Sequence, residues 1–251
     1  MIWFKKSIDH LIFFIFVNFV ALNTGCDKNT PKEDVVLQGE FFLDFMEPSG
    51  LALSFDKKSL WCVSDKNSQI YNISTSGQII SQMKIDANDL EGICVINDSL
   101  LAVVSEETNE LLTVDYSGKV NKRYPVILDG DTKYGLEGIT YNYNLHRYYL
   151  VKEKNPSLLI NLDYNFNDIT SQTLNISMDL SGIEYDNIEN ILWILSDENQ
   201  TISKCDLAGN VLQRFHFNLS KPEGIAIDHD NKLLYVVSDS QQKLCIYKLP
   251  E

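Results

Sequence analysis

The amino-acid sequence predicts an all-β protein: a five-bladed β-propeller with four-stranded blades, the last blade being closed by the N-terminal strand. Three observations support this prediction. A glycine-containing segment recurs five times, a second motif follows each copy at a nearly constant interval, and short apolar runs typical of strands surround both. The chain has 251 residues, 44% of them hydrophobic, which is enough for one large domain with its own core.

The first repeated segment is centred on a glycine. Its five copies read EPSGLALSF, DLEGICVI, GLEGITYN, DLSGIEYD and KPEGIAID, around Gly50, Gly92, Gly138, Gly182 and Gly224. Successive glycines are 42, 46, 44 and 42 residues apart, and this spacing is typical of one four-stranded propeller blade. A glycine near the crowded axis of a propeller permits close packing of the blades.

A second motif follows each glycine by 13 to 15 residues. Its copies are Ser64-Asp65, Ser105-Glu106, Lys152-Glu153, Ser196-Asp197 and Ser238-Asp239. Each copy ends an apolar run such as SLWCV or LLYVV, which we interpret as the second strand of the repeat. A third run follows the acidic residue, and a fourth follows a Ser-Gly or Ala-Gly turn in several repeats. Each repeat therefore predicts four strands, and no segment has a helical period.

The two ends of the repeat array complement each other. The fifth repeat stops after its third strand, whereas a strand without a repeat of its own, at residues 35–45, precedes the first repeat. We therefore expect the N-terminal strand to complete the last blade, which gives a propeller domain over residues 35–251. Closing the ring in this way removes exposed sheet edges, and a parallel solenoid would not need such a strand.

The N-terminus predicts export. Residues 1–25 resemble a lipoprotein signal peptide, because Lys5 and Lys6 precede an apolar stretch at residues 11–22. That stretch has the length of a signal-peptide core and is short for a membrane span.

The end of this segment predicts a lipid anchor. Gly25-Cys26 resembles a bacterial lipoprotein cleavage box, although Leu22 lies four residues before the cysteine instead of the usual three. We expect lipidation at Cys26, with simple secretion as the alternative. The polar residues 26–34 are predicted to form a tether. The protein is then exported and lipid-anchored to a bacterial membrane, facing the periplasm or the cell surface.

Charge and cysteine content narrow the choice of partners. The formal net charge of −14 repels phosphate backbones, so we expect no nucleic-acid partner, and it favours cations. The other cysteines lie in apolar runs of four different repeats, without the spacing of a disulfide framework or a zinc site. We expect them to be buried free thiols: Cys62, Cys94, Cys205 and Cys245.

The two repeated motifs place carboxylates at one end of the central channel. The first strand of a blade lines the channel and the second returns antiparallel, so the start of one and the end of the other share a face. The predicted metal ligands at this mouth are Glu91, Glu137, Glu223, Asp65, Glu106, Glu153, Asp197 and Asp239, with Ser49 and Ser181 in two of the glutamate positions. Such a ring is repulsive unless it holds a cation or protons. Oxygen donors without His or Cys suit calcium better than magnesium. The acids of the second motif also suit a structural role, such as capping a turn.

With its repeated EGI and Ser-Asp motifs and its N-terminal tether, the sequence resembles the SdiA-regulated family of bacterial proteins over residues 35–251. The resemblance implies a five-bladed propeller and a calcium site, which carries over to Glu91, Glu137 and Glu223. It implies no reaction, since the biochemical function of the family is not established.

Three functional hypotheses follow. The first is a monomeric, membrane-tethered binding module that holds calcium at the channel mouth, where a small molecule or a protein binds. The alternative is a calcium-dependent hydrolase of the phosphoesterase or lactonase type, in which calcium polarises the substrate. The third is a scaffold whose acidic ring shares protons. The four histidines form no catalytic triad or metal site, and the sequence identifies no catalytic residue: His10, His146, His216 and His229.

Overall fold

The computed structural model describes residues 33–131 and 133–250, and all of the regular secondary structure in these ranges is β. No helix among these residues has the length and apolar character needed to cross a membrane. The predicted signal peptide, Cys26 and residues 26–32 of the predicted tether lie outside the described residues. Within the described residues, two strands precede the first repeat, β1 at Glu33–Asp34 and β2 at Leu37–Phe42.

Four blades are formed by consecutive strands in antiparallel order. Blade 1 contains β3 (Pro48–Leu53), β4 (Ser59–Ser64), β5 (Gln69–Ser74) and β6 (Ile79–Lys84). Blade 2 contains β7 (Leu90–Asn97), β8 (Leu100–Ser105), β9 (Glu110–Asp115) and β10 (Val120–Pro125). Blade 3 contains β11 (Leu136–Asn142), β12 (Arg147–Lys152), β13 (Leu158–Asp163) and β14 (Ile169–Thr173). Blade 4 contains β15 (Gly182–Asp186), β16 (Ile191–Ser196), β17 (Thr201–Cys205) and β18 (Val211–His216).

Blade 5 is completed by the N-terminal strand, as the sequence predicts. Its strands are β19 (Pro222–Asp228), β20 (Leu233–Ser238), β21 (Lys243–Lys248) and β2, in the order β19-β20-β21-β2. Strand β2 is antiparallel to β21, with Phe41 opposite Leu244. Strand β1 instead pairs in parallel with β18 and adds a fifth strand to the sheet of blade 4.

The core lies between neighbouring blades. Each apolar cluster combines side chains of two adjacent blades, and the cluster between blades 5 and 1 includes the buried Leu43, which directly follows β2. The aromatic side chains of the second strands are buried in these clusters: Trp61, Tyr149, Trp193 and Tyr235. The four cysteines of the propeller are buried free thiols, as expected. Burying one large apolar side chain contributes about 1.5–3 kcal/mol, so these clusters hold the blades together.

The repeated glycines constrict the channel. A Cβ atom on Gly50 would lie 2.6 Å from the carbonyl oxygen of Glu91, and one on Gly92 would lie 2.8 Å from the Cα atom of Gly138. Real Cβ atoms do not approach other atoms so closely, and any larger residue would push the blades apart. The space left at this level is a cavity of about 10 Å³, lined by the five glycines and their neighbours. The channel therefore has two separate mouths.

Candidate functional site

The acids of the second motif are held in place by their own backbone and by the preceding serine. In blade 2, the amide of Glu106 donates to the carbonyl of Asp89 at 2.9 Å, and Ser105 Oγ donates to the carbonyl of Asn88 at 2.7 Å. Blade 5 repeats the amide contact, from Asp239 to the carbonyl of Lys221 at 3.0 Å. The serine is thus structural, and it leaves the neighbouring carboxylate to face the channel.

Blade 3 keeps this arrangement with a different residue. Lys152 replaces the serine, is fully buried, and donates from Nζ to the carbonyl oxygens of Lys154 and Pro156. Burial lowers the pKa of Lys152, and the nearby acids partly offset this effect. The amide of Glu153 still donates, to the carbonyl of Gly135 at 3.1 Å.

One cavity of about 410 Å³ occupies the mouth at which the first strands begin. We call it the acidic mouth. It is lined by all eight carboxylates selected from the sequence: Asp65, Glu91, Glu106, Glu137, Glu153, Asp197, Glu223 and Asp239. Ser49 and Ser181 also line it, so the residues of both motifs do converge.

Further residues, which the sequence analysis did not select, complete the walls. They are Glu47, Pro48, Asp179, Glu198, Lys133, Tyr134, Lys154 and Lys221. The lining then contains eleven carboxylates against three lysines. The three lysines could not be identified from the repeat pattern. Each of them occurs in a single repeat or in the turn at residues 133–134, where the repeats differ.

Two of the three lysines form ion pairs with carboxylates of the acidic mouth. Lys154 Nζ lies 2.7 Å from Glu153 Oε1 and 2.6 Å from Glu198 Oε1, and it also lies over the Tyr134 ring. Lys221 Nζ lies 3.3 Å from Asp239 Oδ2.

The inner carboxylates have no such cation. Glu91, Glu137 and Glu223 directly precede glycines of the constriction, and none of them forms an ion pair with a described Lys, Arg or His. Ser49 Oγ donates to Glu91 Oε2 at 2.6 Å, and Ser181 Oγ lies 2.7 Å from the carbonyl oxygen of Pro222. Each of the two serines in glutamate positions therefore forms a hydrogen bond to the next blade along the chain.

Burial and mutual repulsion keep protons on these groups. Burial raises the pKa of Glu91 to about 8, with further increases from Asp65, Asp89 and Glu106, while the Ser49 hydrogen bond opposes the shift. The pKa values of Glu137 and Glu223 are raised well above the ordinary value, first by burial and then by neighbouring carboxylates. The metal-free mouth therefore holds protons at neutral pH that a bound cation would displace.

A closer group of carboxylates joins blades 1 and 2. One oxygen each of Asp65, Asp89 and Glu91 lies within 4.8 Å of the others. Asp65 Oδ1 is buried and has no hydrogen-bond partner among the described residues, and burial raises the pKa of Asp65 to about 7. Sequence reasoning missed Asp89, although it lies three residues before its glycine, where blades 1 and 4 carry Glu47 and Asp179.

The donor set fits a hard cation. Carboxylate and hydroxyl oxygens converge without histidine or cysteine, and calcium accepts six to eight such ligands in irregular geometry. A cation would also satisfy the unpartnered Asp65 Oδ1 and the uncompensated inner glutamates.

The fold is similar to that of solved structures at low sequence identity. The glutaminyl cyclase of Myxococcus xanthus aligns with 86% of this chain and 97% of its own, at 13% identity and a TM-score of 0.64. A streptogramin B lyase aligns with 85% of this chain and 73% of its own, at 17% identity and a TM-score of 0.52. A nidogen/laminin complex contains a chain that aligns with 80% of this one and 76% of its own, at 14% identity and a TM-score of 0.60.

At these identities the likeness concerns the fold alone. The sequence family is more specific, because its model matches residues 35–242, which contain the glycine and Ser-Asp motifs and every carboxylate of the acidic mouth. The chain belongs to the SdiA-regulated family.

Proposed function

We propose that this protein is an exported, membrane-tethered propeller that binds calcium at the acidic mouth and uses the metal to bind a small molecule or a protein. One observation carries the proposal. Glu91, Glu137 and Glu223 converge at the base of the mouth, and none of them forms an ion pair with a described lysine, arginine or histidine.

The ligands divide into two tiers. Glu91, Glu137 and Glu223, together with Asp65, form the inner tier, which we assign to calcium. Glu106, Glu153, Asp197 and Asp239 form the outer tier, where Glu153 and Asp239 already pair with lysines and Glu106 Oε1 accepts from the amide of Gly135 at 2.7 Å. The outer tier therefore shapes the entrance and contributes less to the metal.

The entrance favours a ligand with an anionic or carbonyl oxygen. Such an oxygen would meet calcium on one side and the ammonium groups of Lys154 or Lys221 on the other. The Tyr134 ring, with lysines 4.9 and 5.1 Å from its centroid, offers an apolar face beside them. A cavity of about 410 Å³ has the size of ordinary small-molecule sites.

A calcium-dependent hydrolase of the phosphoesterase or lactonase type is the second candidate. The observation that favours it is the presence of three lysines beside the carboxylates, because calcium and lysine together stabilise developing negative charge on oxygen. The glutaminyl cyclase and the streptogramin B lyase demonstrate enzymes on related folds. Turnover of phosphoester or lactone substrates that needs calcium would select this candidate, and calcium binding without turnover would select the binding module.

Calorimetry and thermal unfolding of the full chain test the calcium site. Calcium at about 100 times its Kd should stabilise the protein by about 2.7 kcal/mol, which corresponds to roughly 5–10 °C in Tm for a domain of this size. Magnesium should give a smaller shift and a chelator should reverse it. Glu137→Gln should lose most of the response, whereas the exposed Glu107→Gln should keep it. No shift at millimolar calcium would overturn the proposal.

A further inference from the structure

A second cavity of about 340 Å³ lies at the opposite mouth of the channel. The turns between the first and second strands surround it, and the glycine constriction separates it from the acidic mouth. Leu53 and Ile227 contribute apolar walls, while Phe55, Tyr143 and His229 lie nearer the turns. A ligand here would not share space with calcium.

Glu184 is the distinctive residue of this cavity. It lies two residues after the glycine of blade 4, where the other blades carry the smaller residues Ala52, Cys94, Thr140 and Ala226. Thr140 Oγ1 donates to Glu184 Oε2 at 3.1 Å, and no described lysine, arginine or histidine pairs with the carboxylate. Burial raises the pKa of Glu184 to about 8, and no neighbouring cation offsets this shift; an ammonium group beside the carboxyl would favour its ionised form.

The neighbouring Asp186 carboxylate already has partners. Asp186 accepts from the amides of Ile188 at 2.9 Å and Glu189 at 3.0 Å, and from Trp193 Nε1 at 3.2 Å. His229 Nε2 lies 2.8 Å from Asp186 Oδ1 but does not meet hydrogen-bonding geometry with it.

Lys57, at the rim, pairs with Asp230 at 2.7 Å. Of the two carboxylates that line the cavity, Asp186 is held by backbone amides and Trp193, so Glu184 is the one left to meet a cationic ligand.

The rim offers aromatic surface. Phe55 is 57% exposed and Tyr143 is 41% exposed, and the Tyr143 hydroxyl donates to the carbonyl of Val95 at 2.8 Å, which fixes that ring. Aromatic faces beside a carboxylate recognise organic cations that carry an apolar group. Calcium would need six to eight oxygens, and an anion would be repelled by Asp186 and would oppose the ionisation of Glu184.

We propose that the opposite mouth binds a small organic amine in its protonated form, with the ammonium group at Glu184 and the apolar part against Phe55 and Tyr143. This site is independent of the calcium site, and its occupancy does not depend on that proposal.

Titration of the full chain with 2-phenylethylammonium tests the site, with 2-phenylethanol and 3-phenylpropanoate as matched neutral and anionic probes. We expect the ammonium compound alone to bind. Its affinity should be at least about tenfold weaker in Glu184→Gln, because the buried ammonium group would then lack a carboxylate partner. The exposed Phe55→Ala should weaken binding by roughly threefold or more through lost aromatic contact. The control variant Glu107→Gln removes an exposed carboxylate that lies outside both cavities. It should bind the ammonium probe within about twofold of wild type.

Amide chemical-shift mapping of the wild-type protein makes the test independent of whether Glu184→Gln folds. The ammonium probe should shift the resonances of Tyr143 and His229 and leave those of Glu137 and Glu223 unchanged. Four results would each overturn the proposal. The alcohol could bind as tightly as the ammonium probe, or folded Glu184→Gln could keep the wild-type affinity. The shifts could be confined to the acidic mouth, or the probe could fail to bind at roughly 10 mM, which corresponds to a negligible interaction.

Discussion

Glu91→Gln is expected to stabilise the metal-free protein at neutral pH and to weaken its response to calcium. Glu91 is only 8% exposed, and burial raises its pKa to about 8, whereas the ordinary value of 4.5 applies in the unfolded chain. The group is therefore neutral in the folded, metal-free protein at pH 7 and ionised in the unfolded one. Because the pKa of Glu91 is raised in the folded state, the contribution of this group to stability is fully present below about pH 4.5. That contribution is lost as the pH rises towards 8.

The magnitude follows from the interval between the two pKa values. At pH 7 the unfolded chain is about 2.5 pH units above the pKa of its Glu91 carboxyl. Ionisation therefore stabilises the unfolded state by roughly 3 kcal/mol, at 1.36 kcal/mol per unit. Glutamine resembles neutral glutamate in shape, accepts the hydrogen bond of Ser49, and gains nothing on unfolding. The variant should therefore be more stable than wild type by about 2–3 kcal/mol at pH 7, and nearly equal to it near pH 4. In saturating calcium the order should reverse, because the variant lacks one ligand.

Urea unfolding of the full chain, followed by the fluorescence of its tryptophans, measures these differences in chelator and in calcium. The exposed Glu107→Gln is the matched control and should change the free energy of unfolding by less than about 0.5 kcal/mol. If Glu91→Gln is less stable than wild type at pH 7 without metal, or gains equally at pH 4 and 7, the assigned pKa and its physical cause are wrong.

Three further predictions concern architecture and anchoring. Leu43→Ala should cost about 2–5 kcal/mol, since Leu43 is fully buried between blades 5 and 1, whereas Phe42→Ala, at a side chain 66% exposed, should cost far less; equal values in urea unfolding would contradict closure by the N-terminal strand. Gly92→Ala should destabilise by about 1–3 kcal/mol or more, while Gly39→Ala, whose Cβ would meet nothing within 4 Å, should be far milder; a neutral Gly92→Ala in the same assay would refute the constriction. Cys26→Ser should move the protein from the membrane to the soluble fraction, and unchanged membrane retention would count against lipidation.

The fold was predictable because its information repeats. Five glycines at nearly equal spacing identify the blades, and the strand at residues 35–45 has no partner except the incomplete fifth repeat. The structure confirms both features and places β2 beside β21. The pairing of Glu33–Asp34 with β18 was not predictable, because two polar residues carry no periodic signal.

The acidic mouth was predictable for the same reason, and its details were not. Carboxylates at two repeated positions were expected to converge, and all eight line one cavity. Asp89 and the lysine pairs escaped detection because their effect depends on side-chain direction in space. Glu184 was also overlooked, since it occupies a position that is small and uncharged in the other four repeats. Repetition identifies architecture, whereas residues that break the repeat require the structure.

The most direct test of the calcium site is an anomalous difference map from crystals of the full chain grown in calcium. We expect one strong peak at the base of the acidic mouth, about 2.3–2.6 Å from carboxylate oxygens of at least two of Glu91, Glu137, Glu223 and Asp65. A mouth without a peak at millimolar calcium, or a calcium ion bound only to the outer carboxylates paired with lysine, would contradict it.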